Sequence, residues 1–481
     1  MPNTKYEIRN TKPVRTRFAP SPTGYMHVGG VRTALFAWLV AKQANGQFLL
    51  RIEDTDKARE VKGSEQHIID CLEWLGLQWD EQPHRQSERL EIYKAWAQKL
   101  ADGGRAYADP YTPQELDGLR ETAKGQKKPF LFRDYRPENP PKWDGSQPLR
   151  FKSEPKAYDW NDAVMGELST GPEAVDDFII LKADGFPTYN FAHIVDDHLM
   201  RISHVIRTQE FLPSVPKFLN LYEALRAEHP ILTTLPYVMG PDGKKKLSKR
   251  DGAKDILDYK KQGYLPEALI NFLATLGWND GTEQEIFSRD ELIEKFSLGR
   301  VQKGGARFDE QRLIWMNGHY IRQLPLNELY KLSEGFWPQS AKNYDDSYKK
   351  GVLSLVQARL KYLAELPKLT LFFFEDLSPD MSLITENKVL GKLEKNELHE
   401  LLSRSRDELA KSDFSLDQLN STLNSLLEQT SQKPAMLFGL IRIATTWASA
   451  SPELADTMHL LGKDKCLQRI DKALALLEKS A

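Results

Sequence analysis

The sequence predicts an α/β fold: a doubly wound parallel sheet, split by an α+β insertion and followed by an all-α C-terminal region. Three observations carry this. A strand, a Gly-rich turn, a helix and a second strand follow one another from Val14 to Ile52. A proline-punctuated stretch then breaks the pattern from about Arg105 to Ala192, and beyond Gly252 amphipathic helical runs replace strands.

The elements follow in order. Val14, Thr16 and Phe18 alternate with Arg15 and Arg17, the period of a strand, and after a turn at His27 to Gly30 the run Val31, Ala34, Leu35, Trp38, Leu39 has a helical period. Asn45-Gly46 stops that helix, and Phe48 to Ile52 is the next strand, completing a βαβ unit. Glu53, Asp54 and Asp56 lie just past that strand, where such sheets bind ligands. Helices follow around Ile68 to Leu75 and from Glu88 to Leu100. Within the insertion, Leu149–Phe151 and Phe178–Leu181 read as short strands. The sheet then resumes, with His193–His198 and Ile202–Arg207 read as strand ends and Phe211 to Leu225 as a helix. A lysine-rich loop spans Gly240 to Gly252, and helical runs follow at Pro266–Leu276, Asp309–Trp315, Val352–Leu363 and Gln418–Leu427.

Composition bounds the function. At 481 residues the chain exceeds one core, so three to five domains are expected. A 40% hydrophobic and 28% charged composition is that of a globular protein. No apolar run approaches a membrane span and the first dozen residues are polar, so neither signal peptide nor anchor is expected, and the cytoplasm is the expected compartment. Two cysteines, Cys71 and Cys466, exclude a disulfide scaffold and a cysteine-based zinc site. With 66 basic against 68 acidic residues, any polyanion site has to be local.

Two segments carry chemistry. The turn at His27 to Gly30 aims the free N–H groups of a helix N-terminus, with the positive end of its dipole, above the strand's carboxyl end. Gly29 and Gly30 allow close approach of a nucleotide and His27 offers an imidazole donor; a tight strand-to-helix turn with an exposed histidine fits the same residues. Lys244, Lys245, Lys246, Lys249 and Arg250 form the second segment, which alone also reads as an exposed basic loop. Neither a P-loop nor a Gly-x-Gly-x-x-Gly turn is present, so ATP would be bound another way.

Together, Pro20-Ser21-Pro22-Thr23-Gly24-x-x-His27-x-Gly29-Gly30 and Lys246-Leu247-Ser248-Lys249-Arg250 resemble the paired signatures of class I aminoacyl-tRNA synthetases. Arg17 to Gly30, Leu50 to Asp56, Phe186 to Arg207, Gly240 to Gly252 and Trp315 to Ile321 are similar to the glutamyl-tRNA synthetases of the bacterial type. The resemblance implies a Rossmann-type catalytic domain in two halves, 14–105 and 193–236, with an acceptor-binding insertion at 106–192. A stem-contact domain at 237–322 and a helical anticodon-binding region at 323–481, of one or two domains, would follow. It implies a monomeric glutamate–tRNA ligase that uses ATP with Mg²⁺, glutamate and tRNA(Glu). Charging of tRNA(Gln) as well is the alternative within the family.

By the same resemblance, His27, Lys246 and Lys249 are the catalytic residues, joined by Gly29, Gly30 and Ser248 around ATP. Arg17, Ala19, Ser21, Glu53, Tyr189 and Arg207 would bind glutamate, the two arginines gripping its side-chain carboxylate and Glu53 its α-ammonium. Glu53 could also pair with Arg51, and Tyr189 could be core. Arg359 matches an arginine set against the third anticodon base. Three departures stand out. His193 occupies a variable position, and Thr208-Gln209-Glu210 replaces a more usual Gly-Glu-Asp. Ala108-Asp109-Pro110-Tyr111-Thr112 lacks the cysteines with which many relatives hold zinc, so no zinc is expected. His193, Asp196, Asp197, His198 and His204 have metal-ligand chemistry but are expected to make hydrogen bonds instead.

Overall fold

The computed structural model describes residues 13–247, 254–448 and 450–479. Two compact units form, one from the residues up to Tyr259 together with Pro266–Glu310, the other from Lys260–Leu265 and the residues from Gln311 onward.

In the first unit the order is β1 (Arg15–Phe18), α1 (Val28–Gln43), β2 (Gln47–Ile52), α2 (Ser64–Trp74), β3 (His84–Arg85) and α3 (Leu90–Asp102). The insertion carries β4 (Ala106–Ala108), α4 (Pro113–Gly125), β5 (Leu149–Phe151), β6 (Tyr158–Asp162), β7 (Gly166–Thr170) and β8 (Phe178–Leu181). Then come α5 (Tyr189–Leu199), β9 (His204–Thr208), α6 (Val215–Ala224), β10 (Ile231–Leu235), β11 (Val238–Met239), α7 (Ile256–Lys261), α8 (Pro266–Ala274), α9 (Arg289–Lys295) and β12 (Ala306–Arg307).

The main sheet has the order β10-β9-β1-β2-β3, every pair parallel. Strand order reverses across β1, which pairs with β2 on one side and β9 on the other, so the crevice at the carboxyl ends of β1 and β9 is the place where this topology admits a ligand. Helix α1 is buried on nearly every side, from Val31 and Leu35 to Trp38 and Leu39, because the sheet and α8 both pack on it. Thr16 Oγ1 donates to the Ala37 carbonyl at 2.7 Å and pins α1 to β1. The insertion is a three-stranded antiparallel sheet, β4-β5-β8, with a separate β6–β7 hairpin.

Two expectations are corrected. His193–His198 is not a strand end but lies inside α5, which starts directly after Pro187-Thr188. Residues 191–197 are buried without a break; a short, uniformly buried run carries no period that distinguishes strand from helix. The run expected over Val352–Leu363 likewise stops earlier, at Val356, followed by a single tight turn through Arg359.

The second unit is helical: α10 (Glu310–Gln323), α11 (Leu326–Leu332), α12 (Asp346–Val356), α13 (Leu366–Phe374), α14 (Ser382–Thr385), α15 (Lys395–Lys411), α16 (Leu416–Thr430), α17 (Pro434–Thr446), α18 (Leu454–Leu461) and α19 (Lys463–Lys479). Its core gathers Phe372, Phe373, Leu402, Leu409, Leu440 and Ile470. Arg469 is buried in it, donating to the carbonyls of Phe372 (2.8 Å), Glu375 (2.9 Å) and Thr445 (2.9 Å) and pairing with Asp376 at 3.0 Å. This side chain caps the C-terminal ends of α13 and α17 at once. Arg469→Ala removes those donors and leaves a cavity, so denaturant unfolding is expected to show a loss of about 3 kcal/mol or more; a change below about 1 kcal/mol would show that water replaces the guanidinium.

Candidate active site

A cavity of about 370 Å³ opens at the switch point. Its lining brings together Arg17, Ala19, Ser21, His27, Gly29, Gly30, Glu53, Tyr189, Arg207 and Lys246. Ser248 and Lys249 lie outside the described residues. Arg359 belongs to the second unit.

The floor is built around one carboxylate. Asp197, on α5, accepts from Arg17 Nε (2.9 Å), Arg17 Nη2 (3.3 Å) and Arg51 Nη1 (2.8 Å), while Arg207 Nη2 stands 3.9 Å away. Burial pushes the Asp197 carboxyl up, but the guanidiniums of Arg17, Arg51 and Arg207 outweigh it and hold the group well below the usual carboxylate range. Arg51 turns its other nitrogen, Nη2, to Glu53 at 2.9 Å. Burial drives the Glu53 carboxyl above its ordinary value, against the pull of Arg51 and Arg207. Asp196, the next residue, accepts from Gln86 (2.9 Å), Arg89 (2.9 Å) and the Tyr93 hydroxyl (2.7 Å). These bonds account for Asp196 and Asp197 as structural anions, and the His/Asp group around them does not gather into a metal-binding cluster among the described residues.

Arg207 leaves the carboxyl end of β9 with its guanidinium 5.4 Å from the ring centres of Phe211 and Phe218 and 5.7 Å from that of Tyr189. These rings fix where the cation sits. Tyr189 stacks on His193 with ring centres 4.8 Å apart, and its phenol is pushed up to about 12 by burial. His193 is fully buried, its Nδ1 bonded to the Tyr189 carbonyl at 2.7 Å; burial first, then Arg207, holds its pKa well below the ordinary value. His193 is thus a neutral support for the wall that Tyr189 presents. Tyr189 is at once cavity lining and a neighbour of the hydrophobic core.

The opposite wall is the turn before α1. His27 is the N-cap, its Nδ1 accepting from Gly29 N at 3.2 Å, which places the ring proton on Nε2. A Cβ on residue 29 would sit 3.2 Å from His27 Cε1, so glycine there leaves room for the ring. The lysine loop begins as a hairpin, with Leu247 N bonded to Val238 O and Gly240 N to Lys245 O, each at 2.8 Å. This sets Lys246 Nζ 2.6 Å from Glu210 Oε2 and 4.6 Å from the centre of the Tyr237 ring. Burial pushes the Glu210 carboxyl up, but the hydrogen bonds from Lys246 and Thr208 outweigh it and hold the group below its usual value. The departure at Thr208-Gln209-Glu210 therefore supplies the counter-ion of a candidate catalytic lysine.

Arg51 enters the sequence reading only as the alternative partner of Glu53, a pair the structure forms at 2.9 Å, and its bond to Asp197 is not foreseen there. Its signal was available: a cation inside the apolar run Phe48-Leu49-Leu50-Arg51-Ile52 of an interior strand demands a buried partner. In the second unit Arg359 is exposed on the turn after α12. Burial and, next, the charge of Arg359 lower the pKa of Arg442, so the two cations face one region.

Residues 13–315 match the family described as tRNA synthetases class I (E and Q), catalytic domain, and residues 328–474 match an anticodon binding domain. The glutamate–tRNA ligase of Dehalococcoides mccartyi is 40% identical over 98% of this chain and 99% of its own length. Glutamate–tRNA ligase 1 of Syntrophus aciditrophicus is also 40% identical over 98% of this chain and 99% of its own. The crystal structure of a glutamate tRNA ligase from Elizabethkingia meningosepticum in complex with its amino acid superposes with a TM-score of 0.86 at 32% identity, covering 97% of this chain and all of that one. With family models covering both units and relatives similar along nearly the whole length, the chain belongs to the glutamate–tRNA ligases of the class I tRNA synthetases.

Proposed function

We propose that this chain activates glutamate with ATP and transfers it to the 3′-terminal adenosine of tRNA(Glu), in the cleft at the switch point. The observation that carries the assignment is the pair Arg17 and Arg207, both lining the cavity and both turned toward Asp197. Around the floor four guanidiniums, Arg17, Arg51, Arg89 and Arg207, face three carboxylates, Glu53, Asp196 and Asp197. The excess of one positive charge matches the net charge of glutamate, −1. Glutamine, neutral overall and with amide N–H donors facing guanidinium N–H donors, is rejected by the same arrangement.

In the first step the α-carboxylate of glutamate attacks the α-phosphorus of ATP and pyrophosphate leaves with Mg²⁺. Glu53 and Glu210 are the carboxylates among the cavity-lining residues, and magnesium would enter with ATP as its counter-ion. His27 Nε2–H, Lys246 and Lys249 then neutralise charge on the phosphate oxygens, with Lys246 exchanging Glu210 for phosphate. In the second step the 2′-hydroxyl of the terminal adenosine attacks the glutamyl carbonyl and AMP leaves; the protein's part is positioning. Glu53 receives the α-ammonium beside Arg51.

The insertion takes the acceptor end of the tRNA, residues 237–322 contact its stem, and the helices beyond 323 read the anticodon, Arg359 with Arg442 beside it providing the cationic region. We read the enzyme as a monomer acting in the cytoplasm and, since its insertion contains no cysteine, as zinc-free. No helix among the described residues is long and apolar enough to cross a membrane.

Lys249→Ala is expected to slow adenylate formation on the order of 10²-fold while glutamate binding changes little; an unchanged rate in ATP–pyrophosphate exchange would remove the lysine loop from the chemistry. Arg207→Gln should instead raise the glutamate KM on the order of 10²-fold, and a normal KM would take Arg207 out of the specificity pocket. Charging of purified tRNA(Glu) and tRNA(Gln) with radiolabelled glutamate is expected to proceed only on the first; equal rates would make the enzyme non-discriminating.

A further inference from the structure

His67 lies on α2, outside the cavity lining, yet it joins the two segments that carry the chemistry. Its Nδ1 accepts from the backbone N–H of Met26, next to His27, at 3.3 Å. The proton is therefore on Nε2, which donates to Asp255 at 2.7 and 2.9 Å to its two oxygens. Asp255 follows the lysine loop in sequence: it pairs antiparallel with His27, and Ile256 N bonds to the Met26 carbonyl at 3.2 Å. Asp255 Oδ1 also accepts from Leu257 N at 2.9 Å, which fixes the start of α7. Tyr25 stacks on the imidazole with ring centres 4.5 Å apart and covers it from solvent. The His67 side chain is 10% exposed.

We propose that His67 is a positioning residue, a latch that through Asp255 fixes the returning end of the lysine loop to the turn carrying His27. The latch acts on the chemistry through the reading of that loop given above. Geometry separates it from a metal site, although Cys71 Sγ is 3.6 Å from the same imidazole. A cation held between Asp255 and the histidine would need Nε2 without its proton, which would move to Nδ1 and oppose the Met26 N–H. The existing bonds also place the His67–Asp255 pair largely away from water, where breaking either partner is felt.

The test compares full-length wild type, His67→Ala, Asp255→Ser, which can still cap Leu257 N but is too short to reach His67, and the double variant, each checked for an unchanged melting temperature, in ATP–pyrophosphate exchange with tRNA present and in limited trypsin digestion. Each single change is expected to lower kcat about tenfold with the glutamate KM within about twofold, the double variant falling no further than the worse single one, since the two side chains form one interaction. Tryptic cleavage within 244–250 should quicken about threefold or more in every variant, and His67→Gln, whose amide N–H reaches toward Asp255, should regain part of kcat. Additive losses in the double variant, or unchanged cleavage, would overturn the latch. Faster cleavage with normal kcat would leave the latch standing and count instead against the lysine loop as catalytic machinery. One equivalent of zinc retained by the wild type and lost from His67→Ala would overturn the latch in favour of a metal centre. Should His67→Ala fail to fold, Asp255→Ser carries the same readouts.

Discussion

The buried carboxylate of Asp197 is the constraint on which the cleft depends. Three arginines converge on it from three elements: Arg17 from β1, Arg51 from β2 and Arg207 from β9. Without an anion there, three guanidiniums at the centre of a parallel sheet would repel one another at very low effective dielectric, and the cost of burying them would fall on the fold. With it, two of them, Arg17 and Arg207, remain on the cavity wall, where we propose they receive a second carboxylate, that of the substrate. On that proposal, selection of an acidic amino acid and integrity of the sheet rest on the same side chain.

The topology explains why this works at one place only. Strand order reverses at β1, so the loops after β1 and β9 diverge and leave a crevice, and the helix that follows β1 aims its N-terminus into it. Arg17 and Arg207 are near the carboxyl ends of neighbouring strands, so their side chains reach the same crevice without any special loop. The residues proposed to meet phosphate stand off the sheet, His27 on the turn before α1 and Lys246 on the hairpin that follows β11.

Much of this was legible in the sequence. The βαβ opening, the insertion and the helical C-terminal half follow from periodicity and proline placement, and the described candidate residues other than Arg359 meet in one cavity. What was not legible has physical causes. His193–Asp197 is buried without interruption, so its pattern fits a strand as well as a helix. The pairing of Arg51 with Asp197 joins residues 146 positions apart, and no local rule reports such a contact. The Lys246–Glu210 pair was hidden because Glu210 stood out only as a departure from an expected motif. His67 was missed for a similar reason: one polar position on an amphipathic helix is ordinarily solvated, and only the return of the chain at Asp255 gives it a partner.

Magnitudes divide the site into two kinds of contact. Arg17, Arg51 and Asp197 are almost wholly buried, and removing one member of such a group costs about 3–5 kcal/mol, so this half of the cleft keeps its arrangement before and after substrate arrives. Lys246 and Glu210 have side chains 48% and 45% exposed, and a pair of that kind contributes about 0–1 kcal/mol. Exchanging Glu210 for a phosphate oxygen is therefore nearly free, which suits a lysine that has to change partners during the reaction. The His67–Asp255 bond falls between these, 10% and 20% exposed: strong enough to hold one end of the lysine loop beside His27 while the other end, at Lys246, exchanges its partner. On the proposed assignment, the residues that receive the glutamate carboxylate are set by buried ion pairs of the fold, whereas Lys246, proposed to meet phosphate, is held only by an exposed one.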